Sequence, residues 1–175
     1  MDNATIERIS EEASRQSKLD AAWALASEVA QEISMGDTKE ASALLLHYEK
    51  VAKRVGWLGA KFKLVAILQD ILKNWSIDTA SCKKPSRLVL DLFGDDVFDA
   101  VIAIGKMAHD NYFSEYLPRV AANPIALQVK IVDLQIKLER LMAQDDPDHD
   151  LVQRYTDALG VLGGKIATYY HMEKH

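Results

Sequence analysis

Three stretches of this sequence carry most of the side chains that could do chemistry. They hold His47, Gln69, Asp70, Lys73, Asn74, Lys130, Asp133, Lys137 and Arg140. Imidazole and carboxylate groups are ligands for divalent metals, and a bound metal can activate water for hydrolysis. Lysine and arginine instead bind phosphate and other anions. The residue types therefore point to two chemistries, metal-assisted hydrolysis or anion binding.

Other reaction classes lack their residues. The sequence has no glycine-rich phosphate loop, no His-Glu-x-x-His and no Gly-x-Ser-x-Gly. Cys82 is the only cysteine, which rules out an internal disulfide and a cysteine-based zinc site.

The charge and the apolar content of the sequence argue against some classes of binding partner. The 175 residues include 21 Lys and Arg against 26 Asp and Glu, a formal net charge of -5, which argues against nucleic acid as a partner. The longest apolar run, Ala21–Ala26, has six residues, whereas a membrane span needs about 20. Met1-Asp2-Asn3 and the acidic residues after it do not resemble a secretory signal. We therefore expect a cytoplasmic protein with no membrane partner.

The elements that must position these side chains read as helices throughout. Only 8 Gly and 4 Pro interrupt the chain, and no segment alternates apolar and polar residues as a half-buried strand does. The pattern predicts an all-α single domain over 1–175, with a central buried helix over 58–75 and a kink or break near Gly163 and Gly164. The other predicted helices cover 4–17, 18–35, Thr38 to Gly56, Pro85 to Phe93, 97–107, 111–120, 125–144 and 151–170. Thr38 is the predicted N-cap of its helix, and Pro124 stands where a first-turn proline is tolerated.

Several short motifs occur in a fixed order along the chain. They are His47 with Val51-Ala52, Leu68-Gln69-Asp70, Phe93-Gly94 with Val97, and Lys130-Ile131-Val132-Asp133. In this order and spacing the sequence resembles the HD-domain metal-dependent phosphohydrolases over roughly residues 40–142. It is most similar to the hydrolase domain of the bifunctional guanosine tetraphosphate (ppGpp) synthetase/hydrolases and to their small single-domain relatives. The resemblance implies an HD-domain-like helical bundle.

The resemblance also implies a metal site. In the family, a His, a His-Asp pair and a later Asp bind one divalent ion, usually Mn²⁺, which activates the attacking water. The corresponding positions here are His47, Gln69, Asp70 and Asp133.

This sequence departs from the family at the site. Gln69 replaces the paired His, and a neutral amide is a poorer ligand for a transition metal. Lys73 and Asn74 replace the Glu-Asp pair of the family, and Lys137 stands where the family commonly has Asn. These changes reverse the local charge and discourage a bound dication.

Three functions follow as alternatives. The first is a degenerate, non-hydrolytic HD-type protein that binds a nucleotide-like anion through Lys130, Lys137 and Arg140, or binds a protein partner. The second is an active Mn²⁺-dependent phosphohydrolase whose metal is held by His47 and the two aspartates, with Gln69 as a weak ligand. The third is a purely structural helical interaction protein.

A simpler interpretation applies to the same residues. On a helical wheel Asp133 lies in a polar gap, so Asp133 with Lys137 predicts an ordinary helix ion pair of about 0.2–0.5 kcal/mol. His47 lies at the border of an apolar stripe, which is typical of a half-buried amphipathic residue.

Overall fold

A computed structural model of the chain describes residues 9, 17–72 and 83–172, and the side chains of all of these except 83–86 and 164–172. These residues form α-helices, turns and loops and contain no strand, so the predicted all-α fold is confirmed. The helices are α1 (Lys18–Ile33), α2 (Thr38–Val55), α3 (Ala60–Leu68), α4 (Lys83–Phe93), α5 (Asp95–Ile104), α6 (Leu117–Ala121), α7 (Pro124–Met142) and α8 (His149–Met172). A 3₁₀ turn over Gly56–Leu58 follows α2, and a π-helical turn over Tyr112–Tyr116 precedes α6.

Capping residues set where several helices begin. Asp37 accepts hydrogen bonds from the backbone N–H groups of Lys39 and Glu40, so Asp37 is the N-cap of α2 and the predicted cap, Thr38, is its first residue. Asn123 caps α7 and places Pro124 in the first turn, where its missing N–H is tolerated. Gly94 separates α4 from α5 with φ of 86°, a conformation that favours glycine.

Helix α3 is the centre of the core. Its last five residues, 64–68, are all buried, and it contacts α1, α2, α5 and α7. This confirms that the predicted segment is the central one. The helix ends at Leu68 rather than at Trp75, because residues 69–72 form a turn. The rest of the prediction, 73–75, lies outside the described residues.

Two other predicted segments differ from the structure, because the break predicted as one possibility near Gly163 and Gly164 is absent and one predicted helix is divided. Helix α8 runs from His149 to Met172 through the glycines at 160, 163 and 164 without a break. Its packing on α7 and the burial of Ala158 and Leu162 outweigh the cost of glycine in a helix, about 1 kcal/mol each. The predicted helix over 111–120 is divided into the π-helical turn and α6. The predicted helix over 4–17 lies almost entirely outside the described residues.

None of the described helices combines the length and the apolar character that crossing a bilayer requires.

Candidate functional site

The site centres on the carboxylate of Asp133 in α7. This residue has no solvent exposure. His47 Nε2 from α2 lies 2.6 Å from Oδ1, Lys130 Nζ donates to Oδ2 at 2.7 Å, and Lys137 Nζ donates to Oδ2 at 3.0 Å. The predicted pair of Asp133 with Lys137 is present, but it is not an ordinary helix ion pair, because α2 and α3 pack on α7 and bury Asp133. A charge buried in this way needs charged partners.

The charged groups of this cluster shift the pKa values of one another. Burial by itself raises the pKa of Asp133, but the ammonium groups of Lys130 and Lys137 outweigh it and hold that pKa well below its usual range. Burial lowers the pKa of Lys130, and the attraction of Asp133 more than reverses this and raises it. The pKa of Lys137 is lowered, because burial and the nearby Lys130 outweigh Asp133. Two ammonium groups on one carboxylate leave an excess positive charge.

Gln69 and Asp70 lie in the turn that ends α3. Asp70 Oδ2 accepts a hydrogen bond from the Tyr48 hydroxyl at 3.0 Å, and burial together with the Asp70 charge raises the Tyr48 pKa, so this hydroxyl stays a donor. Gln69 is 6% exposed, and its Nε2 is buried without a hydrogen-bond partner among the described residues. Such a buried donor is rare in folded proteins and marks a place where a ligand oxygen or water is expected.

A cavity of about 330 Å³ lies beside these side chains. The cavity lies between the turn after α3, the loop after α5, the π-helical turn and α7. It is lined by Gln69, Asp70, Ile104, Gly105, Lys106, Met107, Ala108, Tyr112, Tyr116, Lys130, Asp133 and Lys137.

The structure brings most of the predicted site residues together. Gln69, Asp70, Lys130, Asp133 and Lys137 face the cavity. His47 does not line it and instead contacts Asp133 from α2.

The remaining predicted residues lie elsewhere. Arg140 is exposed on α7 and does not line the cavity, because it lies seven residues after Asp133, about two turns further along the helix axis. Lys73 and Asn74 lie outside the described residues.

The sequence reasoning missed one wall of the cavity, which the loop after α5 and the π-helical turn supply. This wall contains Lys106, Tyr112 and Tyr116. The Tyr116 hydroxyl donates to the Ile104 carbonyl at 2.9 Å, and Lys130 Nζ lies 5.6 Å from the centre of the Tyr116 ring, within cation–π range. The i, i+4 tyrosines after Asn111, which caps the turn, were the available signal.

Arg119 fixes the loop over residues 105–110, which we call the cavity loop. Its guanidinium donates to both oxygens of Asp110, at 3.0 and 2.6 Å, and to the Gly105 carbonyl at 2.8 Å. This fork lowers the pKa of Asp110 to about 2. A Cβ at Gly105 would lie 3.2 Å from both Leu72 Cδ1 and the Val101 carbonyl oxygen, so the close approach of the loop to the core favours glycine.

The donor set does not fit a divalent metal. Both oxygens of Asp133 already accept bonds from protein cations, and Asp70 is bonded to Tyr48. Within residues 17–72 and the described part of 83–172, no three His, Cys, Asp or Glu side chains converge as a metal site. The Mn²⁺ that the sequence resemblance implies therefore has no ready set of ligands.

The geometry is the basis for assigning this site, because no protein-family model matches the sequence and no curated protein is similar to it.

Proposed function

We propose that the chain is a degenerate HD-like protein that binds a small nucleotide-like anion in this cavity without metal and without hydrolysing it. The observation that carries the proposal is the buried cluster of two ammonium groups on one carboxylate, which shares the cavity with the unpaired amide donor of Gln69. The HD-like ancestry is supported by the sequence motifs and by the all-α fold.

The cavity offers donors to an anion. An ammonium group carries three N–H donors, so the bonds to Asp133 leave at least one on Lys130 and one on Lys137. Lys106 adds a third cation at the exposed edge, where its Nζ also donates to the Met107 carbonyl at 3.3 Å. Lysine binds phosphate as a point charge, so a phosphate group is the favoured occupant.

The shape of the cavity supports a nucleotide over bare phosphate. Its volume of about 330 Å³ falls at the lower end of ligand sites, about 300–1,000 Å³. Tyr112 and Tyr116 form an aromatic wall beside the lysines, and aromatic rings pack well on a base or a ribose.

The same geometry disfavours hydrolysis. Activation of water near neutral pH needs a metal or a general base. Both oxygens of Asp133 are bonded to lysines, and one oxygen of Asp70 is bonded to the Tyr48 hydroxyl.

A thermal-shift panel on metal-stripped protein in EDTA tests the proposal. We would add pyrophosphate, GDP, GTP, ppGpp and uncharged guanosine. A ligand that binds only the folded state, at 100 times its dissociation constant, adds about 2.7 kcal/mol, or roughly 5–10 °C for a domain of this size. We expect a guanine nucleotide to give this shift and guanosine to give none.

Two lysine variants locate the site. Lys106→Ala should lower the nucleotide affinity about tenfold, since one charged hydrogen bond is worth about 1.5–3 kcal/mol. At the same nucleotide concentration this loss of affinity halves the ligand-induced stabilisation. Lys53→Ala, an exposed lysine on α2 outside the cavity, should change nothing. No shift with any anion would contradict the proposal, and so would release of phosphate after Mn²⁺ is added.

A second candidate function is protein binding. A separate groove of about 870 Å³ lies between α1, α2 and α3. The groove is lined by Leu46, 51% exposed, and the neighbouring Trp57 is 81% exposed. Sedimentation velocity of the parent and of a Leu46→Ser, Trp57→Ser variant tests whether a second copy of the chain uses this surface, with association expected in the parent alone.

A further inference from the structure

We propose that the ammonium group of Lys137 is a built-in cation that takes the position of a divalent metal ion on Asp133. The inference rests on the proposed function only in treating the cavity as an anion site. Its claim about metals stands on the geometry of Asp133.

Lys137 contacts Asp133 differently from the other partners. Its Nζ lies 2.9 Å from Oδ1 and 3.0 Å from Oδ2, so it lies between the two oxygens. Lys130 donates to Oδ2 at 2.7 Å and His47 lies 2.6 Å from Oδ1. A cation bound by both oxygens of a carboxylate lies between them in the same way. Lys137 therefore holds the position that a bidentate metal ion would need.

Burial shows which lysine closes the site to solvent. The side chain of Lys130 is 11% exposed, whereas that of Lys137 is 30% exposed, and Asp133 beneath them has no exposure. Both lysines line the cavity. An ion entering from the cavity therefore meets the more exposed ammonium first.

The ammonium group of Lys137 is covalently attached to α7, which favours its binding to Asp133 over that of a free ion. Lys137 lies four residues after Asp133 on α7, so the helix holds the two side chains on neighbouring positions. A free divalent ion would have to displace this ammonium and lose its own hydration. Removing the charge of Lys137 should therefore open the position between the two oxygens of Asp133 to a metal, with Asp70 and Gln69 lining the same cavity.

Titration of the full chain with Mn²⁺ alone, followed by the electron paramagnetic resonance signal of free Mn²⁺, tests the inference. The variants are Lys137→Met, which keeps the side-chain length, and Lys137→Gln as a second form in case the first does not fold. The matched control is Lys106→Met, which removes a charge from the same cavity without touching Asp133. Circular dichroism checks that each variant is folded.

We expect Lys137→Met or Lys137→Gln to bind Mn²⁺ at least tenfold more tightly than the parent, and Lys106→Met to behave as the parent. Equal affinity in the parent and a folded Lys137 variant would overturn the inference. An equal gain of Mn²⁺ affinity in Lys106→Met would also overturn it, because the loss of any positive charge in the cavity would then have the same effect. These readouts do not involve a nucleotide, so the result is separate from that of the anion-binding test.

Discussion

Replacing Asp133 by Asn should destabilise the protein strongly, because it leaves buried ammonium groups without their counter-charge. Removing one partner of a buried ion pair costs about 3–5 kcal/mol. Lys137 is 30% exposed and can direct its ammonium toward the cavity, whereas Lys130 is 11% exposed and has less access to solvent. The penalty therefore falls mainly on one lysine, and we expect about 3 kcal/mol.

The stability of Asp133→Asn should also change with pH in a direction that the buried lysine determines. In the parent, Asp133 raises the pKa of Lys130 above its ordinary value of 10.5. The stabilisation from this ion pair is therefore fully present below pH 10.5 and is lost as the pH rises through the pKa of Lys130 in the folded state. Without Asp133, burial places the folded pKa below the unfolded one, and the unfolded state then binds more protons. The stability of Asp133→Asn should therefore rise as the pH increases toward 10.5.

Urea unfolding followed by circular dichroism at pH 7 and pH 9.5 measures both effects. Adding Lys130→Met to Asp133→Asn should recover much of the loss, because the more deeply buried of the two unpaired ammonium groups is then gone. The matched control is Glu139→Gln, also on α7, which breaks an exposed pair with Arg54 and should change stability far less. If Asp133→Asn costs no more than the control, the buried cluster does not have the role described.

Three further substitutions test the description of the cavity and its loop. Gln69→Leu removes an unpaired buried donor, so urea unfolding should show a gain of about 1 kcal/mol without ligand, whereas calorimetry should show weaker nucleotide binding; a loss of stability would mean that the amide has a partner. Arg119→Lys cannot reproduce the fork that holds the cavity loop, so we expect about tenfold weaker nucleotide binding by calorimetry, and unchanged affinity would show that the loop needs no clamp. The pKa of Asp110 is lowered to about 2, so its contribution is present above its ordinary value of 3.8 and is lost as the pH falls toward 2. Asp110→Asn should be about 1–2 kcal/mol less stable than the parent at pH 6 and closer to it at pH 3, and a constant difference in urea unfolding would contradict this.

Much of the helical framework could be predicted from the sequence. Local signals were sufficient where a helix has a first-turn proline and a periodic apolar face, as Pro124 shows for α7. The apolar circumference of the predicted 58–75 segment also identified the central helix. The early end of α3 at Leu68 and the unbroken α8 were missed, because tertiary packing decides both.

The site could be predicted only in part. The motifs identified Gln69, Asp70 and Asp133, which line one cavity in the structure. A helical wheel placed Asp133 in a polar gap but could not show that α2 and α3 cover it, since packing is not visible in one helix. The cavity loop depends on the fork from Arg119 to Asp110, a contact between side chains that no local pattern encodes.

The most direct test of the account is isothermal titration of GTP into metal-stripped protein in EDTA, with the parent and Lys137→Met compared. We expect the parent to bind without metal and the variant to bind about tenfold more weakly, because one of the cavity cations is lost. A parent that binds GTP only after Mn²⁺ is supplied would contradict the account, and so would equal affinity in a folded Lys137→Met variant.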